Sequence, residues 1–141
     1  MTSFDTVIDR ALVIVNDYKL AKLYEKSVSD FKTYCDGHLM TAVSKFYQCR
    51  QSLTYNSTAR TFDVDLTDLE ITILSSFWVI GWWEQQLNNA SQIELKLKTS
   101  SSFTFNSESQ NMKEKKSIID RLYEEVKRLI NDYEMIGLTS L

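Results

Sequence analysis

The sequence predicts an all-α protein, a compact bundle of about four to five helices with a long C-terminal helix. Three observations carry that expectation. Proline is absent from the 141 residues, where average usage would place about seven. Glycine occurs only three times, so the turns of a β-sandwich or barrel would lack their usual residues. Apolar residues make up 43% of the chain, enough for a core, and most recur at spacings of three and four. This length suits one domain, drawn as residues 1–134 followed by a short apolar tail, 135–141, ordered by a neighbouring subunit or partner.

Phe4, Val7, Ile8, Ala11, Leu12 and Val15 place an amphipathic helix at the start, with Asn16-Asp17 as a break. Tyr18, Ala21, Leu23, Val28 and Phe31 continue more loosely towards Tyr34. Asp36-Gly37 is the strongest stop signal of the first half, since glycine takes the left-handed conformation that closes a helix. Leu39, Ala42, Val43, Phe46, Tyr47 and Cys49 then restore the helical period to about Leu53. Residues 54–65, with Asn56-Ser57-Thr58, turn polar and read as a loop.

The sharpest start signal follows. Thr67-Asp68-Leu69-Glu70 is a capping box, in which the threonine hydroxyl accepts from the Glu70 amide and the Glu70 carboxylate from the Thr67 amide. Asp68 and Glu70 also meet the positive end of the helix dipole. Beyond it, Ile71, Ile73, Leu74, Phe77, Trp78, Val79, Ile80, Trp82 and Trp83 are apolar nearly all round, so this helix must be covered on most sides. Asn88-Asn89 is its expected end. Residues 91–105 fit two readings, a short helix over 91–97 with an irregular loop, or one short β-hairpin near 91–106. The helix is preferred because a lone hairpin is marginal. Ile119, Leu122, Val126, Leu129 and Tyr133 form a narrow stripe of the coiled-coil type. Glu124 and Arg128 form an i,i+4 pair on its wet side, and Ser107 or Ser109 is the candidate cap.

Sixteen basic against nineteen acidic residues give a net charge of −3, which lacks the basic footprint of a nucleic-acid binder; Lys113, Lys115 and Lys116 do not alter that. Cys35 and Cys49 cannot make a disulfide framework and read as reduced packing residues. With His38 they fall short of a zinc site. No nucleophile stands at a spacing that makes His38 a general base. Asp63 and Asp65 fit a polar loop, Asp68 and Glu70 the capping box. Gly37, Gly81 and Gly137 are too scattered for a phosphate loop. The expectation is a chain without catalytic activity, cofactor or metal. The apolar run 71–83 is shorter than the ~20 residues of a membrane span. The opening Met1-Thr2-Ser3-Phe4-Asp5 lacks the pattern of a secretory signal, and the reduced cysteines suit a cytosolic or virion setting. Three tryptophans within two turns exceed what one bundle seam hides, and such residues concentrate at interface centres. The interface candidates are therefore Trp78, Trp82, Trp83, Met135, Ile136, Leu138 and Leu141.

Asp65-Leu66-Thr67-Asp68, Glu70-Ile71, Ile73-Leu74, Trp82 and Gln86-Leu87-Asn88 together resemble the central motif of the head-to-tail connector (adaptor or neck) proteins of tailed bacteriophages. Asn16-Asp17-Tyr18, with Ala42, Phe46, Cys49 and Leu53, is similar to that group's first helices. Phe103-Thr104-Phe105, Ser107, Met112-Lys113-Glu114 and the run Arg128-Leu129-Ile130-Asn131-Asp132-Tyr133 are similar to its final helix. The chain departs from the pattern at Gln85, where the group often has proline, at Gly81, where it often has an acidic residue, and in a longer, serine-rich stretch at 99–102. The resemblance implies a virion structural protein of the neck, made in the host cytoplasm. It implies a ring of about twelve copies below the portal protein that extends the DNA channel and docks a stopper or tail protein. DNA would pass without specific binding, and no membrane is involved. Other readings of the same residues are a tail-completion (tail terminator) component, or a small cytosolic module binding a partner helix beside Trp78 and Trp82.

Overall fold

The computed structural model describes residues 1–99 and 105–139, with side chains over 1–89 and 111–138. Five helices and one two-stranded hairpin follow in the order α1 (Phe4–Ile14), α2 (Tyr18–Lys26), α3 (Val28–Lys45), β1 (Tyr55–Asn56), β2 (Thr61–Phe62), α4 (Asp68–Thr99) and α5 (Phe105–Thr139). The all-α bundle with a long C-terminal helix is therefore the observed architecture. At 1.5 Å per residue, α4 and α5 are each about 50 Å long.

The first three helices each begin on a short polar side chain that satisfies an orphan amide. The Ser3 hydroxyl accepts from the Asp5 amide, the Asp17 carboxylate from the Lys19 amide, and the Ser27 hydroxyl from the Asp30 amide. The Asn16-Asp17 break is real. A second break at Ser27 divides what the periodicity reads as one run. Ser27-Val28-Ser29-Asp30 is a start signal in its own right, and Ser27 is extended, at φ −160°.

Two expected boundaries are corrected. Helix α3 runs through Gly37 and ends at Lys45, with Phe46 as its cap, so His38 lies inside a helix. Cys35, Leu39 and Ala42 are all buried along α3, and that packing outweighs the roughly 1 kcal/mol a mid-helix glycine costs. A Cβ on Gly37 would meet nothing within 4 Å. Gly37→Ala is thus expected to stabilise the protein by about 0.5–1 kcal/mol, read as a raised urea midpoint at unchanged slope. Helix α4 likewise passes Asn88-Asn89 and reaches Thr99.

The hairpin expected as an alternative near 91–106 does not form at 91–99 or at 105–106, which are helical; residues 100–104 lie outside the described residues. Ala90, Gln92, Glu94, Leu95, Lys96 and Lys98 are strong helix formers, and no proline or glycine interrupts them. The hairpin lies instead in the segment read as a loop, pairing Tyr55 with Phe62 and Asn56 with Thr61. Its turn rests on the Asn56 side chain, whose oxygen accepts from the Thr58 and Ala59 amides at 3.0 Å each, and on Arg60 at φ 56°. The chain start joins this hairpin through a bridge between Ser3 and Thr61. Ser107 and Ser109 lie inside α5 rather than at its start.

Helix α4 is the axis of the bundle. The chain start and α1 run along it in the same direction: the Met1 ammonium meets Asp65, and Arg10 donates to Thr72 at 2.9 Å. Helix α3 runs the opposite way, with Tyr34 at Gln85 and Phe46 against Phe77. Helix α5 also returns antiparallel, with Tyr123 at Glu84 and Tyr133 at Glu70. Ile119, Val126, Ile130 and Tyr133 are its buried residues, with Leu122 and Leu129 packed beside them. Residues 135–139 continue α5 as its last turn, which corrects the reading of a separate tail there; 140 and 141 lie outside the described residues. No described helix is long and apolar enough to cross a membrane.

Candidate functional site

The tryptophans separate into core and margin. Trp78 is completely buried, and its indole N–H donates to the Cys35 carbonyl at 2.9 Å. Trp82 is buried as well, with Trp83 standing edge-on to it at 5.1 Å. Trp83 alone of the three is half-buried. The expectation that this cluster supplies an outer contact surface is corrected for Trp78 and Trp82. Helices α1, α3 and α5 cover α4 on three sides within one protomer. Trp78 itself presents no surface to a partner, whereas a cleft lined by Leu20, Leu23, Tyr34 and Gln85 opens beside Trp82.

The capping box forms as expected: the Thr67 amide donates to Glu70 at 2.9 Å, and the Glu70 amide to the Thr67 hydroxyl at 3.2 Å. It is also part of a larger buried knot. The Glu70 side chain is 2% exposed and accepts from the Gln51 amide at 2.6 Å, the Tyr133 hydroxyl at 2.6 Å and the Cys49 thiol at 3.4 Å. The Tyr133 hydroxyl in turn accepts from the Arg50 backbone amide at 2.9 Å. Arg50 stacks 3.8 Å from the Tyr133 ring centroid and donates to the Tyr133 carbonyl at 2.8 Å. Burial pushes the Glu70 carboxyl up, but the hydrogen bonds from Tyr133, Thr67 and Gln51 outweigh it and hold the group below its ordinary value. Burial, reinforced by that carboxylate, raises the Tyr133 phenol. The knot fastens the end of α5 and the segment 46–53 to the start of α4. Gly137 admits the Arg50 guanidinium, since a Cβ there would lie 2.5 Å from Arg50 Nη1.

The residues examined for catalysis are distributed among structural tasks. His38 packs against Tyr34 and Trp78 and shares the Gln85 side-chain oxygen with Tyr34; burial lowers its pKa. Its ring also lies over Gly81, with Nδ1 3.4 Å from where a Cβ would stand. Burial, then the Asp36 charge, pushes the Cys35 thiol up to about 12, so at neutral pH it is a protonated thiol. Burial also raises Cys49, which sits in the knot. Asp68 pairs with Arg10, and Asp65 with the chain start; Asp63 is exposed. Arg60, an element no sequence signal marks, grips Asp36 through two nitrogens at 2.7 and 2.8 Å and reaches Asp5 at 2.9 Å. Among the described residues, no three His, Cys, Asp or Glu side chains gather as a metal site would require.

Among the described residues, exposed apolar side chains gather at two places, besides scattered ones such as Tyr47 and Tyr55. At the end of α5, Met135, Ile136 and Leu138 are 60%, 53% and 66% exposed; Leu141 is outside the described residues. The second place is an open groove of about 300 Å³ where α1, α2 and α3 meet, lined by Leu12, Val15, Leu20, Ala21, Tyr24 and Phe31 together with the polar Asn16, Asp17 and Glu25. Val13, Ile14 and Tyr18 beside it in sequence are exposed. Periodicity assigns Leu12, Val15 and Phe31 to apolar helix faces and does not reveal this groove. It arises because the chain turns at Asn16-Asp17 instead of continuing as one helix. The arrangement offers surfaces for contact rather than a pocket with convergent reactive groups. Family models, curated proteins and solved structures were all compared with the chain, and none matches it.

Proposed function

We propose that the chain is a structural protein of a tailed bacteriophage virion: a head-to-tail adaptor in a ring of about twelve copies below the portal. It extends the DNA channel, docks a stopper or tail protein, and acts through its surfaces without catalysis. The observation that carries this reading is the exposed apolar last turn of α5, with Met135, Ile136 and Leu138 turned outward. The resemblance supports it from another side. The residues that carry it around Thr67 and Glu70 start the axial helix and tie it to the end of α5. The net charge of −3 suits a wall along which DNA slides without adhering.

Electron microscopy of the virion with a label on this chain tests the proposal. Density at the portal–tail junction is the expected result. Density at the distal end of the neck would favour the tail-completion role, and absence from the particle would overturn the assignment.

A further inference from the structure

Helix α2 is held differently from the other helices. Side-chain hydrogen bonds bolt α1 to α4 through Arg10, α3 to α4 through Tyr34 and Lys45, and α5 to α4 through Tyr133. Among the described residues, no side-chain hydrogen bond or ion pair joins Tyr18–Lys26 to another element; the bonds at its start are those of its own Asp17 cap. It packs mainly on α3, the next helix in the chain. Leu20 is its one buried residue. Tyr24 stands edge-on to Phe31 at 5.3 Å, yet is itself 51% exposed.

Three clefts border this helix. Leu20 and Asp17 line both the groove of about 300 Å³ towards α1 and a cleft of about 200 Å³ towards Trp82 and Gln86 of α4. Tyr24 and Phe31 line that groove and a third cleft, of about 190 Å³, at Asp9 and Arg60. Leu20 is thus a peg with open space on either flank, where missing neighbours forfeit dispersion contacts. The helix has nine residues, short of the ~12–15 below which an isolated helix is marginal in water. Lys19, Lys22 and Lys26, three and four apart, repel along one face. Each end is a single extended residue, Asp17 at φ −117° and Ser27 at φ −160°. Nine residues reach about 30 Å extended against about 14 Å as a helix, so α2 can come away without pulling on α1 or α3.

We propose that α2 is a strap that opens while the other four helices stay folded. Its release from the Leu20 peg merges the three clefts into one trough and uncovers Leu12, Phe31 and Trp82. The closed and open protomers are two states of one hinged element, drawn from the low-stability end of the structure. This motion belongs to the single protomer and holds whether or not the chain stands in a neck.

Amide hydrogen exchange of the intact chain, read by mass spectrometry, tests it. Residues 21–27 should exchange at least about a hundredfold faster than 73–80 at the centre of α4. Low urea should hardly change the rate at 21–27, because local opening exposes little surface. Leu20→Ala removes the peg and should speed 21–27 at least about tenfold. Ile130→Ala, in the core beneath α5, should speed 73–80 at least about tenfold and leave 21–27 unchanged, since the strap opens without α5. Lys22→Pro, at an exposed position, should erase protection at 21–27 while 73–80 stay protected and circular dichroism loses one helix of nine residues. Equal rates at the two segments, a Leu20→Ala chain that exchanges as before, an Ile130→Ala effect that reaches 21–27, or a Lys22→Pro chain that does not fold would each overturn the strap. In each of those cases α2 would open only with the whole bundle.

Discussion

Trp78→Ala is expected to destabilise the protein by about 4 kcal/mol, at the upper end of what single substitutions do. The indole is 0% exposed and lies where α3 crosses α4, next to His38 at 5.3 Å between ring centroids. Truncation leaves a cavity that three helices cannot collapse without losing their own contacts. Trp78→Phe separates packing from hydrogen bonding. It keeps most of the apolar volume but loses the donor to the Cys35 carbonyl at 2.9 Å, and is expected to cost about half as much. Equilibrium urea unfolding followed by circular dichroism measures both, since the substitution itself alters the fluorescence. A Trp78→Ala chain within about 1 kcal/mol of the original would contradict the central burial on which the fold description stands.

Glu70→Gln is expected to cost about 2–3 kcal/mol at neutral pH. Both oxygens of the carboxylate accept: one from the Thr67 amide and Gln51, the other from Tyr133 and the Cys49 thiol. A glutamine must turn an NH₂ group towards one of those donor pairs. The pH dependence provides an internal check. The folded carboxyl is held below its ordinary value of 4.5, so its contribution is complete above that pH and is lost as pH falls through the folded value. The gap between the original chain and Glu70→Gln should therefore be full at pH 7 and narrow on acidification below about 4.5. An unchanging gap across that range would mean that the buried group carries no charge. Tyr133→Phe tests the knot from its other side, removing the donor to Glu70 and the acceptor of the Arg50 amide.

Local signals that satisfy a backbone donor are legible in the sequence, because their partners lie within four residues. The Thr67–Glu70 box and the Asn16-Asp17 break both form as read. Stop signals fare worse. Gly37 and Asn88-Asn89 cost a helix about 1 kcal/mol or less each, and burial across Gly37 or strong helix formers beyond Asn89 overrule them. The knot is half legible: that Glu70 reaches back to Thr67 follows from spacing, whereas its bonds to Cys49 and Tyr133 span 21 and 63 positions and depend on how α5 returns. The apolar helix is correctly read as needing cover on most sides. What the letters do not reveal is that α1, α3 and α5 supply that cover from the same chain, so the exposed apolar surface appears at Met135 and Val13 rather than at Trp78.

The long reach of the Glu70–Tyr133 bond also governs the order of events during synthesis. A ribosome adding about 5–20 residues per second needs roughly 3–13 s to travel from Glu70 to Tyr133. Until then the carboxylate lacks its phenol, and the apolar stretch after it lacks one of its three covers. Nascent chains must pass through that interval with greasy surface open to chaperones and proteases. Any product cut short before Tyr133 would remain in that condition, which makes the final helix a test of completeness that only finished molecules pass.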